Sequence, residues 1–361
     1  MLVKQENNFS VNVNNTGSNS GIEVGANSGV IIEFQVLGYS DTKAVCLDIV
    51  KEELKKYHAE ALEESKKRSE ELLNRFEEKL SAMNINADLA LSEFKTPAMQ
   101  LDYLEAQKAY IKVGTDELKE LLSDILVKRV HEHSRSLLQI ALGEAIQVIP
   151  KLVPSQMTTL ALLFVAEHKS PRNINNHVDF SNFLRETMIE IFSHGISRKR
   201  SEFQHLSFTG CILQSPFSIG LVTTLERLYA GLFMKGMKKT DIPKTEDGVY
   251  LNILYPELFD VCRNDSEKIQ IAVMDKTELE KKIGPKHKYY NMLIKMFEDN
   301  IMPDAEAKLL IETLVPEMKE IFAYWNESYI GGCEALSVGI VIGAEYAKQI
   351  TGEEYNLEMW I

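Results

Sequence analysis

The residue types best suited to chemistry lie in one seven-residue stretch that begins with His205 and ends with Cys211. A histidine and a cysteine at this spacing in a loop can meet as an imidazole–thiolate pair, which activates the sulfur as a nucleophile. They could also be two metal ligands, but no companion pair completes a tetrahedral site. The structural alternative is a buried histidine bonded to backbone and a small cysteine packed after a glycine turn. We favour this alternative.

Tyr229 and Lys235 are the other two candidates for an unfamiliar catalytic site. They lie in residues 229–237, where the aromatic and methionine positions have the helical spacing that is typical of a core. The recognised catalytic motifs do not occur in the sequence: Asn19 and Asn27 stand where a nucleophile elbow needs serine, and neither a phosphate loop nor H-E-x-x-H is found. We therefore expect no metal and no cofactor.

Composition bounds the class of protein. The chain has 361 residues, 45% of them hydrophobic and 26% charged, which is ordinary for a globular protein that buries a full core. The 40 basic and 53 acidic residues give a formal charge of −13, which repels phosphate backbones. Small basic clusters at residues 198–200, 235–239 and 281–288 are typical of solvated helix ends. Nucleic acid is therefore an unlikely partner.

The cysteines and apolar runs indicate the compartment. The four cysteines are widely spaced, without C-x-x-C, and predict reduced, buried thiols: Cys46, Cys211, Cys262 and Cys333. The first ten residues have no apolar region of the secretory type. The longest apolar runs, 160–166 and 336–344, are too short to cross a bilayer. We expect a soluble, cytoplasmic protein without a membrane span.

A short sequence unit that is repeated after eight residues predicts an assembly element in residues 1–38. The unit Gly-x-Asn-Ser-Gly-[Ile/Val] occurs twice, and its glycines and asparagines suit turns between short strands, as a hairpin or as two rungs of a β-solenoid. Short strands with so little apolar surface are not stable alone in water. They therefore either pack on the body of the same chain or pair with strands of other subunits. We favour pairing, through Gly17, Asn19, Gly21, Ile22, Gly25, Asn27, Gly29 and Val30.

Residues 39–84 predict a long charged helix with Ser40 or Asp41 as N-cap. An apolar stripe runs from Val45 to Ala61, residues 63–71 are almost wholly polar, and apolar residues return from Leu72 onward. Such a helix is either an ordinary surface helix or an arm that joins the assembly element to the body. We expect a homo-oligomer built on residues 1–38, with a coiled coil of this helix as a further contact.

Residues 85–361 predict a multi-helix body, subdivided near 240–255. Helical patterns and a loop over 203–217 precede a strongly apolar helix over 219–237, a short strand over 269–273, and helices over 276–283, 286–299, 303–328 and 332–350. Gly339 and Gly343 lie one turn apart, so another backbone can approach this helix closely. The apolar C-terminal tail should dock on the body. The fold class is mainly α with a short N-terminal β element.

Three segments together resemble an uncharacterised bacterial family: H-L-x-x-x-G-C at 205–211, Y-x-G-L-F-x-K-G-M at 229–237 and the ending N-L-E-M-W-I at 356–361. The likeness runs from about residue 40 to the C-terminus and implies no activity. The N-terminal repeat is similar to Asn/Gly-punctuated β segments that precede bacterial immunity proteins, where they look like oligomerisation modules. This second resemblance implies a role in antiphage defence.

These observations support three functional hypotheses. The leading one is a non-enzymatic homo-oligomeric scaffold or sensor in bacterial antiphage defence, which binds a protein partner through its helical body. The first alternative is an effector enzyme with a site around His205 and Cys211. The second is a nucleic-acid or nucleotide binder that uses the basic clusters.

Overall fold

The computed structural model describes residues 10–14, 20–25, 31–36, 39–82, 92–132, 135–168 and 170–361; before residue 55 it describes the side chains of Asp48, Lys51 and Glu52 alone. The contacts of the chain divide it into two units, Met1–Arg68 and Ser69–Ile361. The structure is 68% helix and 7% strand, which confirms the mainly α fold class.

The first unit contains a three-stranded antiparallel sheet. Its strands, in the order β1-β2-β3, are β1 (Ser10–Asn14), β2 (Ser20–Gly25) and β3 (Ile31–Val36). Ile22 of β2 lies opposite Val13 on one side and Phe34 on the other. Antiparallel pairing corresponds to the hairpin alternative and not to the stacked rungs of a solenoid. Of the residues predicted for self-assembly, Gly21, Ile22 and Gly25 lie in β2, and the following lie outside the described residues: Gly17, Asn19, Asn27, Gly29 and Val30.

The long helix occurs as predicted, as α1 (Tyr39–Ala82). Every residue from 55 to 64 is exposed, including Tyr57 and Leu62 at 57% and 50%. Arg68 Nε donates to Glu64 Oε1 over 2.8 Å, one of the i,i+4 ion pairs that support a solvated helix.

The second unit is a succession of helices with two small sheets. Its helices are α2 (Pro97–Val113), α3 (Asp116–His131), α4 (Leu137–Val148), α5 (Pro154–Glu167), α6 (His177–Phe183), α7 (Glu190–Ser193), α8 (Arg200–Phe208), α9 (Leu221–Tyr229), α10 (Leu251–Leu254), α11 (Lys276–Ile283), α12 (Tyr290–Asp299), α13 (Asp304–Leu314), α14 (Met318–Glu327) and α15 (Ser337–Thr351). A π-helix, Leu184–Ile189, joins α6 to α7. The strands are β4 (Ile212–Gln214), β5 (Phe259–Cys262), β6 (Asp265–Ile271) and β7 (Cys333–Ala335), paired antiparallel as β4-β7 and β5-β6.

The centre of the second unit is the crossing of α5 and α15. A β-carbon on Gly343 would lie 2.5 Å from the Leu160 carbonyl oxygen, so only glycine lets the two backbones approach this closely. This confirms the close approach that the glycine spacing predicted. The C-terminal tail docks as predicted: Leu357 is buried, and the Trp360 ring meets the Phe164 ring edge-on at 5.2 Å.

The last turns of α1 belong to this unit and are anchored to it. Leu72 and Phe76 are fully buried, at 0% and 2% exposure. Lys79 Nζ lies 2.7 Å from Asp124 Oδ2 of α3, so an ion pair seals the edge of this apolar contact.

Several predicted boundaries were wrong; the helix expected over 332–350, for example, begins only at Ser337, after strand β7. Residues 203–217 were expected as a loop, but α8 extends to Phe208 and β4 follows it. The apolar helix expected over 219–237 ends at Tyr229, because Gly231 N–H leaves the helix ladder and donates to the Met274 carbonyl over 2.9 Å. The helix expected over 303–328 is two helices, since Pro316 disfavours helical backbone at the residue before it.

A second hydrophobic cluster lies beside the main core. It draws its members from residues 230–297, among them Leu251, Ile271 and Leu293, which include strands β5 and β6 and helices α10 to α12. The chain between α9 and α13 therefore buries an apolar centre of its own.

Candidate functional site

His205 lies on α8 and holds it against the start of α5. Its Nδ1 is 3.1 Å from Nε2 of the buried Gln156. Gln156 Oε1, which accepts the Val153 N–H, lies 3.3 Å from the same ring nitrogen, so both atoms of the amide contact the imidazole. The sequence predicted a buried histidine bonded to backbone; His205 is instead half-buried, and its ring contacts a side-chain amide.

Cys211 is fully buried directly after Gly210, whose positive φ of 75° makes the predicted glycine turn. Burial raises the pKa of its thiol, and the Thr209 hydroxyl, 3.4 Å from Sγ, offsets this only in part. A thiol in this environment is protonated and shielded. In the described chain no hydrogen bond joins it to His205, so the two do not form an imidazole–thiolate pair.

Tyr229 and Lys235 lie in other surroundings. The Tyr229 hydroxyl accepts the Ser170 N–H over 2.9 Å, its ring packs 5.5 Å from that of Phe180, and burial raises its pKa. Lys235 is exposed, and its backbone N–H donates to the Asn300 carbonyl over 2.8 Å. The structure therefore does not bring the four catalytic candidates together.

The described residues contain no group of three or more His, Cys, Asp and Glu side chains that could hold a metal ion. Three cysteines, Cys211, Cys262 and Cys333, are free and buried; the side chain of Cys46 lies outside the description. Among the described helices, none has the length and apolar character that crossing a membrane requires.

The most distinctive surface lies next to the expected His–Cys site. Residues 208–219, here called the apolar segment, expose four large apolar side chains: Phe208, Leu213, Phe217 and Ile219. Phe208 is 88% exposed and Phe217 80%, and every residue from 213 to 219 is exposed. Solvent-exposed aromatic rings are typical of surfaces that bind another protein.

The apolar segment is fixed by hydrogen bonds on either side of Phe217. The N–H groups of Ser215 and Ile219 donate over 2.7 Å to the carbonyls of Gly332 and Gly331, respectively. Trp325 Nε1–H donates to the Ile219 carbonyl over 2.9 Å. The exposed rings are therefore presented on a constrained backbone.

Strand β4, inside the apolar segment, has an open edge. Leu213 lies opposite Glu334 of β7, and positions 211 and 215 bond to the chain on either side of β7. Because bonding positions alternate along an antiparallel strand, the N–H and C=O groups of Ile212 and Gln214 point away from β7. Ile212 itself is buried at 1% exposure, so the outward groups open to a partner are those of the exposed Gln214, which have no hydrogen-bond partner within the described residues.

The opposite edge of this small sheet is covered. The Ala335 N–H of β7 donates to Glu167 Oε2 over 3.3 Å. Burial raises the pKa of Glu167 to about 7, and the hydrogen bond from the Ala335 N–H offsets part of this rise. A side chain thus occupies the edge of β7, whereas on β4 the outward main-chain groups of Gln214 are exposed.

A cavity of about 340 Å³ lies between the end of α3, the start of α4 and the C-terminal tail. Its lining includes Lys128, whose Nζ lies 2.6 Å from Glu345 and 2.7 Å from Glu354. Burial raises the pKa of Glu345, and Lys128 counters this. Since Lys128 is already paired with two carboxylates, this cavity offers little free charge to a ligand.

Comparison with known proteins places the chain in a family. A model of an uncharacterised protein family matches residues 37–361. The chain belongs to this family. The match begins where the sequence resemblance was expected to begin, and it states no activity. No curated protein and no solved structure matches the chain significantly.

Sequence reasoning missed the apolar segment because it searched the same residues for reactive groups. A usable signal was present: five large apolar residues stand within twelve positions that also contain Gly210 and Pro216. Large apolar residues in a stretch rich in turn formers are poorly placed for a core.

Proposed function

We propose that this protein is a non-enzymatic, self-assembling scaffold or sensor that binds an extended segment of a protein partner at the apolar segment. The observation that carries the proposal is the exposed, unpaired main-chain edge of β4 at Gln214, flanked by exposed Phe208 and Phe217. Unpaired strand groups bond the main chain of an added strand, and apolar side chains beside them provide affinity.

The self-assembly part of the proposal rests on the first unit. The β1–β3 sheet contains only 17 residues in strands, and a sheet this small is marginal in water without further apolar contacts. Tyr57 and Leu62 are exposed on α1 and supply apolar surface for pairing between copies. We therefore assign subunit association to residues 1–38, with α1 as a second contact.

Light scattering after gel filtration tests the assembly. The full-length chain and a chain that starts at Gly38 are compared at equal concentrations. We expect a defined oligomer for the first and a smaller species for the second. Equal masses would refute assembly through the N-terminal residues.

Photo-crosslinking in the producing cell tests the partner site. A photoreactive phenylalanine analogue replaces Phe217, and in a matched control it replaces Val178 of α6, which is also largely exposed, at 69%. We expect a specific crosslink at 217 that disappears when Gln214→Pro removes the outward N–H of β4, a change tolerated at a strand edge. Crosslinks equal at both positions, or unaffected by Gln214→Pro, would contradict the proposal.

A role in bacterial antiphage defence remains a hypothesis that rests on the N-terminal repeat. Phage plating on cells that carry the full-length chain, the chain from Gly38, or neither tests it directly. Protection by the full-length chain alone would link assembly to defence, and equal plating on all three would remove the hypothesis.

A further inference from the structure

The second hydrophobic cluster carries a cavity that none of the functions above uses. It has a volume of about 430 Å³ and is lined by Tyr255, Glu257, Leu258, Lys282, Ile283 and His287. Tyr255 and Glu257 follow α10, Lys282 and Ile283 end α11, and His287 lies in the turn before α12. Its volume is within the range of small-molecule sites.

One wall of this cavity is aromatic. The rings of Tyr255 and His287 meet edge-to-face with centroids 4.9 Å apart, and the Tyr289 ring stands 6.2 Å from that of Tyr255. Leu258 is buried at 4% exposure and adds an apolar floor. A half-buried tyrosine face above an apolar floor suits a planar ring.

The polar groups of the cavity include donors suited to an anion. The Tyr289 N–H donates to His287 Nδ1 over 3.2 Å, so a neutral His287 ring carries its proton on Nε2 and can donate it. Lys282 Nζ donates to the Ala272 carbonyl over 3.0 Å and pairs with Glu278 at 3.0 Å, which leaves one of its three hydrogens for a ligand.

The charge of this region also differs from that of the chain. Residues 230–301 contain 12 basic and 12 acidic side chains, so the whole acidic excess of the protein lies elsewhere. Lys281 and Lys286 flank the lining residues, are exposed, and make no ion pair in the described part of the chain. An anionic ligand therefore meets less repulsion here than on the average surface.

We propose that this cavity binds a mononucleotide, with the base against Tyr255 and His287 and the phosphate at Lys282, assisted by Lys281 and Lys286. Glu257, which has no hydrogen-bond partner among the described residues, is the acceptor available for an exocyclic amino group of the base. The proposal is independent of the partner site on β4, which lies outside the second cluster.

Isothermal titration of the full-length protein with AMP, GMP, CMP and UMP, and with ribose 5-phosphate as the ligand without a base, tests the proposal. The variants are Tyr255→Leu, which removes the stacking face, Tyr255→Phe, which retains it, and Lys282→Met. Lys319→Met, at an exposed lysine of α14, is the matched control. Melting temperatures verify that each variant is folded.

We expect at least one mononucleotide to bind saturably, at least tenfold more tightly than ribose 5-phosphate. Tyr255→Leu and Lys282→Met should each weaken it tenfold or more, while Tyr255→Phe and Lys319→Met bind as the wild type does. The proposal is overturned if no mononucleotide binds at about 5 mM, if ribose 5-phosphate binds as well, or if folded Tyr255→Leu and Lys282→Met retain wild-type affinity.

Discussion

Gly339 of α15 faces the Cys211 carbonyl so closely that a β-carbon at position 339 would lie 2.0 Å from the oxygen. That oxygen also accepts the Leu336 N–H over 2.9 Å, so the carbonyl cannot turn away without breaking a bond next to the start of α15. The Cys211 backbone therefore takes part in the packing of the central helix α15.

Gly339→Ala should destabilise the protein because the new methyl group overlaps a fixed carbonyl. We expect a loss of about 3 kcal/mol or more in the free energy of unfolding, measured by urea denaturation. Gly210→Ala is the control, since its added carbon has open space and only the positive φ is strained, at about 1 kcal/mol. Equal losses in the two variants would show that the overlap is relieved by movement.

Leu72 and Leu73 of α1 form a matched pair for testing how this helix docks. Leu72 is fully buried and Leu73 is 37% exposed, so the same truncation removes different amounts of buried surface. Leu72→Ala should cost about 2–5 kcal/mol in unfolding free energy, and Leu73→Ala less than about 1 kcal/mol. A loss at Leu72 as small as that at Leu73 would mean that the end of α1 does not pack on the body.

The pH dependence of stability should report the buried Glu226 of α9. Burial, and then the nearby Asp304 carboxylate, raise the pKa of Glu226 to about 7. Glu226 therefore keeps its proton up to a higher pH in the folded state than in the unfolded chain. Its protonation stabilises the folded state fully below about pH 4.5, and this stabilisation is lost as the pH rises to about 7.

Glu226→Gln should remove this dependence. Above pH 7 we expect the variant to be more stable than the wild type by about 1–2 kcal/mol, with the difference shrinking towards pH 5. Urea denaturation at pH 5, 6, 7 and 8 measures it. Glu306→Gln, an exposed acid on α13, is the control and should follow the wild type at every pH. A constant difference between Glu226→Gln and the wild type would contradict the assignment.

Cys211 distinguishes a structural from a catalytic role. Cys211→Ser places a hydroxyl in a fully buried apolar site and should cost about 1–3 kcal/mol, whereas Cys211→Ala should cost less. Thermal unfolding of both variants shows which of the two is the less stable. A serine variant that melts like the wild type would contradict the packing role, and together with a loss of activity it would support the enzyme hypothesis.

The sequence by itself determined the class of fold and several of its parts. The charge pattern from Tyr39 onward predicted α1 almost to the residue, because helical periodicity and i,i+4 pairs are local properties. The spacing of Gly339 and Gly343 predicted a close helix crossing, because residues one turn apart share a face. The absence of known catalytic motifs was also readable directly.

The tertiary structure decided what the residues between helices do. His205 and Cys211 are six positions apart, yet their neighbours, Gln156 and Leu336, come from distant parts of the chain, so spacing could not tell a reactive pair from two packing contacts. The helix expected up to residue 237 ends at Tyr229 because a hydrogen bond from Gly231 to Met274 replaces a local one. The open edge of β4 exists only because β7, more than 100 residues later, pairs with its other side. Local patterns determine helices and turns, whereas the exposure of a side chain and the pairing of a strand depend on which distant segments of the chain pack against them.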